Sequence, residues 1–523
     1  MWRATRRQLG KENRTIMTTT ILVDAAGTRR PVRRAWETAV GSGDAWSLLR
    51  ADLQAQLCRA VRDCGFRYLR CHGILCDQLQ VVRRDRHGAL VYNWQLVDKV
   101  YDALLHVGLR PFVELGFMPA ALAGGDQTIF HYRANVTPPA DYAAWNGFIH
   151  ALIAHWRDRY GTDELRQWYF EVWNEPNLAS FWAGTQADYF RLYAETARTI
   201  KGVDPALRVG GPATTRGEWI TPFLAYCRAH NAPLDVISTH VYPDDEDFAK
   251  VDPDYRAVFA RGAYLERVVD RVADEVAGEA RVGTAGRLET HWTEWSASWR
   301  WGDPTHDAAN LAAYICRVAR HVDDRVDSFA FWTISDIFNE FPYPRAALVD
   351  GFGLLTIDGL PKPGYHAYTL LHHLGDEQLP VTLPQDEENE TTRLDCWATA
   401  SEAGYQLLLS SYVPPGAGVA APAGGANGRE VTVRLQGLAE DGAGPLRLVE
   451  YRVDAAHANV SAAWAALGRP ATPTREQVAE LRAASELCPQ ARGVVAPDES
   501  GILTVTSTLT PGAVVLLEVA RTP

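Results

Sequence analysis

Two glutamates stand at the ends of apolar runs in this sequence. Glu175 follows the run Trp168–Trp173, with Pro176 directly behind it, and Glu294 ends the run Leu288–Glu294. Ionised groups are seldom placed beside an apolar strand without a use, and the proline stops the first strand from continuing. Two such carboxylates can act as acid and as nucleophile or base on opposite faces of a sugar ring. This pairing is typical of glycosidic bond cleavage.

The two glutamates are predicted to have different roles. Retaining cleavage needs carboxyl groups about 5–5.5 Å apart, and inverting cleavage needs about 6.5–9.5 Å. Repulsion between the two charges raises one pKa, and burial among the neighbouring tryptophans acts in the same direction. We assign Glu175 as the proton donor and Glu294 as the nucleophile. Asn174, beside the donor, is expected to donate a hydrogen bond to the sugar 2-hydroxyl.

The strands that must carry these groups are predicted between about residues 65 and 375. Short apolar runs alternate there with longer amphipathic ones, which indicates repeated βα units. The predicted strands are Phe66–Cys71, Ala89–Tyr92, Arg110–Leu115, Trp168–Trp173, Leu207–Gly211, Asp235–His240, Leu288–Glu294 and Ser328–Thr333. Eight repeats predict an α/β fold, a closed (β/α)₈ TIM barrel, with catalytic groups at the carboxyl ends of the strands. The competing doubly wound sheet lacks its glycine-rich phosphate loop.

A second domain is predicted from the change of pattern after Asp376. Alternating runs such as Tyr405–Tyr412 and Leu446–Val453, with one helix at Arg475–Leu487, indicate an accessory β-sandwich. The early run Thr20–Asp24 adds a strand to it. The predicted division is an N-terminal extension at 1–17, the barrel at 36–375, and the sandwich at 18–35 with 376–523. The sequence leaves two roles open for the sandwich. It could pack against the barrel, or it could form a homo-oligomer.

The bulk properties exclude several classes of partner. The net charge of −12 disfavours nucleic acid and anionic membrane surfaces, and no run approaches the roughly 20 apolar residues of a membrane helix. The eight cysteines form no CxxC and no Cys/His ligand spacing, so reduced thiols and no metal site are expected. The arginine-rich residues before Met17 lack the apolar run of a secretory signal, so we expect a cytoplasmic protein.

Several long motifs occur in fixed order along the chain. They are Phe66-Arg-Tyr-Leu-Arg-Cys-His-Gly73, Gly108-Leu-Arg-Pro-Phe-Val-Glu-Leu-Gly-Phe-Met-Pro119, the segment Trp168–Leu178, Arg208-Val-Gly-Gly-Pro-Ala-Thr214, Thr239-His-Val-Tyr-Pro243, Thr293-Glu-Trp295 and Phe331-Trp-Thr-Ile-Ser-Asp336. From about Gly65 to the C-terminus the sequence resembles glycoside hydrolase family 39, and most of all its bacterial β-xylosidase branch.

The resemblance implies a site as well as a fold. It implies a retaining double displacement by Glu175 and Glu294. No cofactor is expected. The sugar pocket that it implies consists of His72, Phe117, Asn174, His240, Tyr242, Trp332 and Glu340. The sequence departs from the family at Asn339, where its xylosidases tend to carry an acid, and this departure bears on the identity of the sugar.

The expected activity is release of terminal xylose from β-xylosides and short xylo-oligosaccharides. Long loops after the barrel strands, such as Gly116–Pro139 and Ile337–Gly353, favour a closed pocket and exo action. An α-L-arabinosidase is one alternative. An α-L-iduronidase-like enzyme is another, and Arg345 is the nearest cation for its substrate carboxylate. A non-catalytic sugar-binding relative is the third.

Overall fold

The protein is described by a computed structural model over residues 18–244, 254–260, 262–341, 346–384, 393–415, 428–438 and 444–521. The predicted extension 1–17 and Arg345 lie outside these residues. Eight parallel strands close into a barrel in their chain order. They are Ala39–Asp44, Tyr68–His72, Arg110–Glu114, Tyr169–Glu171, Arg208–Thr214, Val236–Val241, Glu289–Trp295 and Ser328–Phe331, numbered first to eighth below. The predicted TIM barrel is confirmed.

Each barrel strand is followed along the chain by a helix. These helices are Ala51–Cys64, Gln95–His106, Tyr142–Tyr160, Gln186–Val203, Ile220–His230, Tyr264–Val276, Ala309–Val322 and Pro363–His372. Shorter helices are Ala35–Thr38, Thr162–Leu165 and Tyr255–Ala260. Because helices cover the outer face and side chains fill the interior, the strands are buried along almost their whole length.

The first barrel strand differs from the prediction. Leu90–Tyr92 pairs only with Val82–Arg84, as an antiparallel hairpin, so Ala89–Tyr92 is not a barrel strand. The barrel closes instead through Ala39–Asp44, whose sequence Ala-Val-Gly-Ser-Gly-Asp has little β-propensity. Gly41 is needed there because an added Cβ would lie 2.6 Å from the Trp332 ring. This segment therefore forms a strand because its residues pack closely in the barrel, and not because they have a high β-propensity.

Two larger sheets lie outside the barrel, besides the hairpin above and a second short one, Thr128–Ile129 with Ala134–Asn135. The four-stranded sheet has the order Val381–Thr382, Thr18–Asp24, Arg429–Gln436 and Leu503–Leu509. The seven-stranded sheet has the order Arg30–Pro31, Glu377–Gln378, Arg393–Ser401, Gly404–Tyr412, Val514–Arg521, Leu446–Val453 and Gln490–Val495. Helices Val460–Ala466 and Arg475–Ser485 lie between strands of this sheet in sequence. All these strands fall outside 36–375, but the division into separate domains remains a prediction.

The seven-stranded sheet contributes to two hydrophobic cores. On the strand Gly404–Tyr412, Leu407 and Leu409 belong to the core shared with the four-stranded sheet, whereas Leu408 belongs to the core of the barrel. Successive side chains of a strand point to opposite faces, so one strand serves both. No helix in the described segments is long and apolar enough to cross a membrane.

Candidate active site

The two predicted catalytic glutamates lie at the mouth of the barrel. Glu294 is within the seventh strand, and Glu175 follows the fourth. The backbone at Glu175 has a positive φ of 44°, and its N–H donates to the Ala213 carbonyl at 2.8 Å. A non-glycine residue in this conformation is held there by its surroundings, which is common at functional sites. Both side chains are buried, and Glu175 is 7% exposed.

The two carboxylates are close together. One oxygen from each glutamate and one ring nitrogen of His240 all lie within 4.8 Å of one another. His240 Nδ1 is 3.0 Å from Glu175 Oε1 and 3.7 Å from Glu294 Oε2. This spacing matches the short carboxylate separation of retaining enzymes and is below the range of inverting ones.

Glu294 has hydrogen-bond donors on both oxygens. Arg70 Nη1 donates to Oε1 at 2.7 Å, and His72 Nε2 is 3.0 Å from the same oxygen. The Tyr242 hydroxyl donates to Oε2 at 2.8 Å. Burial on its own would raise the pKa of Glu294, but the charges of His240, Arg70 and His72 and the bond from His72 hold it well below its usual range. The carboxylate is therefore ionised at neutral pH.

Arg70 lies at the centre of a buried charge network. Besides Glu294, its guanidinium donates to Glu171 Oε2 at 2.5 Å and Asn174 Oδ1 at 2.9 Å, and it lies 2.9 Å from Glu114 Oε2. Burial raises the pKa of Glu114 to about 7, against the lowering effect of His72 and Arg70. One cation thus orients acids from the third, fourth and seventh strands.

Sequence reasoning missed Arg70, Glu114 and Glu171 as parts of the site. Each is a charged residue inside an apolar strand, at a position where a barrel strand directs its side chain inward. Buried charges in proteins are paired or functional. A charge in the interior of a predicted barrel strand was therefore the signal that could have found them.

His72 lies at the end of the second strand and joins two acids. Its Nδ1 is 2.7 Å from Glu340 Oε1, and its Nε2 faces Glu294. Burial would lower the pKa of His72, but the charges of Glu340 and Glu114 and the bonds to its acidic partners raise it well above its usual value. Tyr132, which sequence reasoning did not single out, donates to the same Glu340 oxygen at 3.2 Å.

The remaining predicted pocket residues surround this pair of acids. The Trp332 ring lies 4.5 Å from the His72 ring, and the Phe117 ring packs 5.7 Å from Trp173, centre to centre. Phe117 is fully buried, and its ring also lies 6.0 Å from the His72 ring, centre to centre. Asn174 Oδ1 accepts from Arg70, which leaves the amide Nδ2 as its donor. The structure thus brings all the predicted site residues to one end of the barrel.

Glu175, His240 and Glu294 are close enough for one ion to contact all three. Their hydrogen-bonding atoms are already engaged, however. His240 uses Nδ1 toward Glu175 and Nε2 toward the Thr293 hydroxyl at 3.1 Å, and Glu294 contacts the Arg70 guanidinium, whose charge opposes a second cation. This donor set is arranged for proton transfer and not for metal binding.

A TIM barrel with two glutamates at this spacing, one of them held ionised, defines a glycoside hydrolase. The profile described as Glycosyl hydrolases family 39 matches residues 19–504. A β-xylosidase of Caldicellulosiruptor saccharolyticus is 37% identical over 460 residues, 87% of this chain and 89% of that one. A β-xylosidase of Geobacillus stearothermophilus is 35% identical over 503 residues, 94% of each chain.

The chain is also similar to a solved structure of a family 39 enzyme. The family 39 enzyme from Xanthomonas axonopodis pv. citri superposes with a TM-score of 0.85 at 32% identity, over 98% of this chain and 99% of that one. The chain belongs to glycoside hydrolase family 39.

Proposed function

We propose that the protein is an exo-acting, retaining β-xylosidase, with Glu175 as general acid/base and Glu294 as nucleophile. The observation that carries this proposal is the approach of the two carboxylates to within 4.8 Å. The β-xylosidases of C. saccharolyticus and G. stearothermophilus, 37% and 35% identical to this chain, support the choice of sugar.

In the first step, a carboxylate oxygen of Glu294 attacks the anomeric carbon of the bound xyloside. The bond from that carbon to the leaving oxygen breaks, and Glu175 gives its proton to this oxygen. The products are the free aglycone alcohol and a xylosyl ester of Glu294. The network around Arg70 keeps Glu294 ionised before the attack, because its donors favour the charged form.

In the second step, water attacks the anomeric carbon of the ester. Glu175, now ionised, takes a proton from this water, and the bond to Glu294 breaks. Xylose leaves with its original anomeric configuration, and both glutamates return to their starting protonation states. His240 Nδ1, 3.0 Å from Glu175 Oε1, orients the acid/base between the two steps.

The surrounding residues suit a neutral sugar. Asn174 directly precedes Glu175, and we assign its Nδ2 as the donor to the sugar 2-hydroxyl, because Oδ1 already accepts from Arg70. A uronic acid would need a cation for its carboxylate. Among the described residues of the pocket, Arg70 and His72 carry positive charge, and both are already paired with acids. Neither of these two cations is free to hold a substrate carboxylate, whereas xylose needs no such partner.

We place this activity on short xylo-oligosaccharides in the cytoplasm. All eight cysteines lie in the described residues and are free thiols, six of them buried. Free thiols are typical of a reducing compartment.

Initial rates on a panel of nitrophenyl glycosides test the proposal. The panel contains the β-D-xyloside, the α-L-arabinopyranoside and the α-L-arabinofuranoside, with a methylumbelliferyl α-L-iduronide. We expect the β-xyloside to dominate, and Glu294→Ala to abolish its turnover. Turnover of another glycoside with an inert β-xyloside would overturn the choice of sugar. Sugar binding without turnover of any glycoside would favour a non-catalytic relative.

A further inference from the structure

The hydroxyl group of Thr293 is enclosed inside the barrel, beside the catalytic pair. It donates to Glu171 Oε1 at 2.7 Å, and its oxygen lies 3.1 Å from His240 Nε2. Thr293 and His240 are 0% exposed and Glu171 is 1% exposed, so water does not compete for these bonds. The two reaction steps give this hydroxyl no task. A polar group so deeply buried needs an explanation.

A break in the strand register brings Thr293 to this position. Successive side chains of a regular strand point to opposite faces, yet Thr293 and its neighbour Glu294 both bond to groups inside the barrel. In the pairing with the sixth strand, Trp292 is opposite Thr239, and Glu294 is opposite the next residue. Thr293 is therefore the extra residue of a bulge. Bulges redirect single side chains and are common next to active sites.

The bond to Glu171 determines which nitrogen of the His240 ring carries a hydrogen. A threonine hydroxyl has a single hydrogen, and Thr293 uses it toward the Glu171 carboxylate, whose other oxygen accepts from Arg70. Toward His240, the hydroxyl oxygen can therefore only accept. Nε2 must supply the hydrogen of this bond, in the neutral ring as well as in the charged one.

The other nitrogen of the ring faces the acid/base. His240 Nδ1 lies 3.0 Å from Glu175 Oε1 and 3.7 Å from Glu294 Oε2. Because Nε2 keeps its own hydrogen, a proton shared by His240 and Glu175 lies either on Nδ1 or on the Glu175 carboxyl group. The titratable and charged groups around the ring are Arg70, Glu171, Glu175, Tyr242 and Glu294.

We propose, on the basis of the proposed retaining mechanism, that Thr293 is a positioning residue that acts on the acid/base through His240. In the first step, Glu175 gives the shared proton to the leaving oxygen. In the second step it takes one from the attacking water, so the cycle neither gains nor loses a proton. Between the steps, the ionised Glu175 faces the Nδ1 lone pair of the neutral ring and not a donor, which favours its taking up a proton again.

Removal of the hydroxyl should release the ring from this arrangement. In Thr293→Val, the hydrogen on Nε2 loses its acceptor, and a buried donor without a partner is costly. The neutral ring can instead carry its hydrogen on Nδ1 and donate to ionised Glu175, which stabilises the form that cannot act as an acid. The protonated pair should then lose its proton more readily. The basic limb of kcat/KM should therefore move to lower pH.

Xylosides with leaving groups of different acidity test this role. On phenyl β-D-xyloside, whose leaving oxygen needs a proton, Thr293→Val should lower kcat/KM about 10- to 100-fold, a part of what general acid catalysis contributes. On 2,4-dinitrophenyl β-D-xyloside, whose leaving group needs none, kcat/KM should fall less than about 3-fold. On this substrate kcat and KM should fall together, because the second step still needs Glu175 as a base. Thr293→Ser keeps the hydroxyl and should restore the wild-type kinetics on both substrates.

Thr196→Val is the matched control. The Thr196 hydroxyl is also fully buried and accepts from a ring N–H, that of Trp145 at 2.8 Å, but it lies in the helix Gln186–Val203. This variant should keep the wild-type pH profile and the wild-type dependence on the leaving group.

Neutron diffraction from deuterium-exchanged crystals of the wild type needs no variant, so a folding defect in Thr293→Val leaves the test intact. It should show deuterium on His240 Nε2 and the Thr293 hydroxyl directed at Glu171. A ring without deuterium on Nε2, or a hydroxyl directed at His240, overturns the inference.

The kinetic outcomes separate this inference from the proposed function. A wild type that cleaves no β-xyloside overturns the function. If the wild type cleaves it, three results in Thr293→Val overturn the inference alone: an equal loss on both leaving groups, a basic limb that does not move, or wild-type kinetics.

Discussion

The charge on Glu294 is set by side chains from several barrel strands. Arg70 and His72 come from the second strand, His240 comes from the sixth, and Tyr242 follows it. Burial opposes ionisation, but these donors and charges outweigh it. Glu294 is therefore already ionised before the substrate binds. The site also excludes most of the water that would otherwise solvate this carboxylate.

The Tyr242 hydroxyl is predicted to matter through this ionisation. In Tyr242→Phe, Glu294 loses a donor at 2.8 Å, so its pKa should rise and the acidic limb of kcat/KM should move to higher pH. At neutral pH we expect kcat/KM to fall about 10- to 100-fold. The measurement is a pH profile on nitrophenyl β-D-xyloside.

Tyr193→Phe is the control, since Tyr193 is buried and donates at the same 2.8 Å to the Pro233 carbonyl, in the helix layer. It should leave the profile unchanged. Wild-type kinetics in Tyr242→Phe would contradict the role given to this hydroxyl.

Glu114 is predicted to make stability depend on pH. Its pKa is raised to about 7 in the folded protein, against about 4.3 in an unfolded chain. Between these values the folded state binds more protons, so the free energy of unfolding falls as pH rises through this window. In the wild type this fall is on the order of 3 kcal/mol. Glu114→Gln removes the titrating group, so its free energy of unfolding should not fall in this way.

Urea unfolding at about pH 5 and about pH 8 measures the effect. The stability of Glu114→Gln relative to wild type should improve at the higher pH. If the two proteins keep the same difference at both pH values, Glu114 is ionised throughout and the account of the Arg70 network is wrong.

At the scale of the element, the sequence predicted strands where apolar runs end in polar groups. This pattern located the fourth and seventh strands, and with them both glutamates. It failed for Ala39–Asp44, because two glycines and an aspartate carry no β-signal. Arg70 and Glu114 lie in strands that were predicted, but their ion pairs join residues of different barrel strands, which local patterns do not report.

The first strand is predicted to tolerate no side chain at Gly41. An added Cβ would lie 2.6 Å from the Trp332 ring and 3.1 Å from the Phe331 carbonyl. Gly41→Ala should therefore lower the free energy of unfolding by about 1–3 kcal/mol and raise KM, because Trp332 must move. Gly147→Ala is the matched control in helix Tyr142–Tyr160, where an added Cβ meets no atom within 4 Å.

Gly147→Ala should stabilise the protein by about 0.4–1 kcal/mol, since alanine favours the helix. Urea unfolding and xyloside kinetics of both variants check the pair. Equal effects of the two substitutions would show that the first strand is not packed as described.

At the scale of the molecule, the seven-stranded sheet is bound to the barrel through a continuous core. Trp36, just before the first strand, packs edge-on against Trp397 of the sheet at 5.1 Å between ring centres, and Arg320 pairs with Asp395 nearby. The sequence indicated both a barrel and a sandwich, but the contact between them depends on single side chains that alternation alone does not identify as interface residues.

Barrel and sheets are predicted to unfold together. Calorimetry of the wild type should show one transition, because Trp397 and Leu408 lie in the barrel core. Trp397→Ala should lower the free energy of unfolding by about 3–5 kcal/mol. Leu22→Ala, at a residue 39% exposed on the four-stranded sheet, should cost only about 0.5 kcal/mol. Two separate transitions in the wild type would contradict this coupling.

The nucleophilic role of Glu294 is the central claim, and covalent trapping tests it most directly. The wild-type protein is incubated with 2-deoxy-2-fluoro-β-D-xylosyl fluoride, whose good leaving group allows the first step while the 2-fluorine slows the second. Peptide mass spectrometry then locates the label. We expect one fluoroxylosyl group per chain, on Glu294, and slow reactivation as it hydrolyses. A label on another residue, or inactivation without a covalent sugar in protein that cleaves the parent xyloside, would contradict the account.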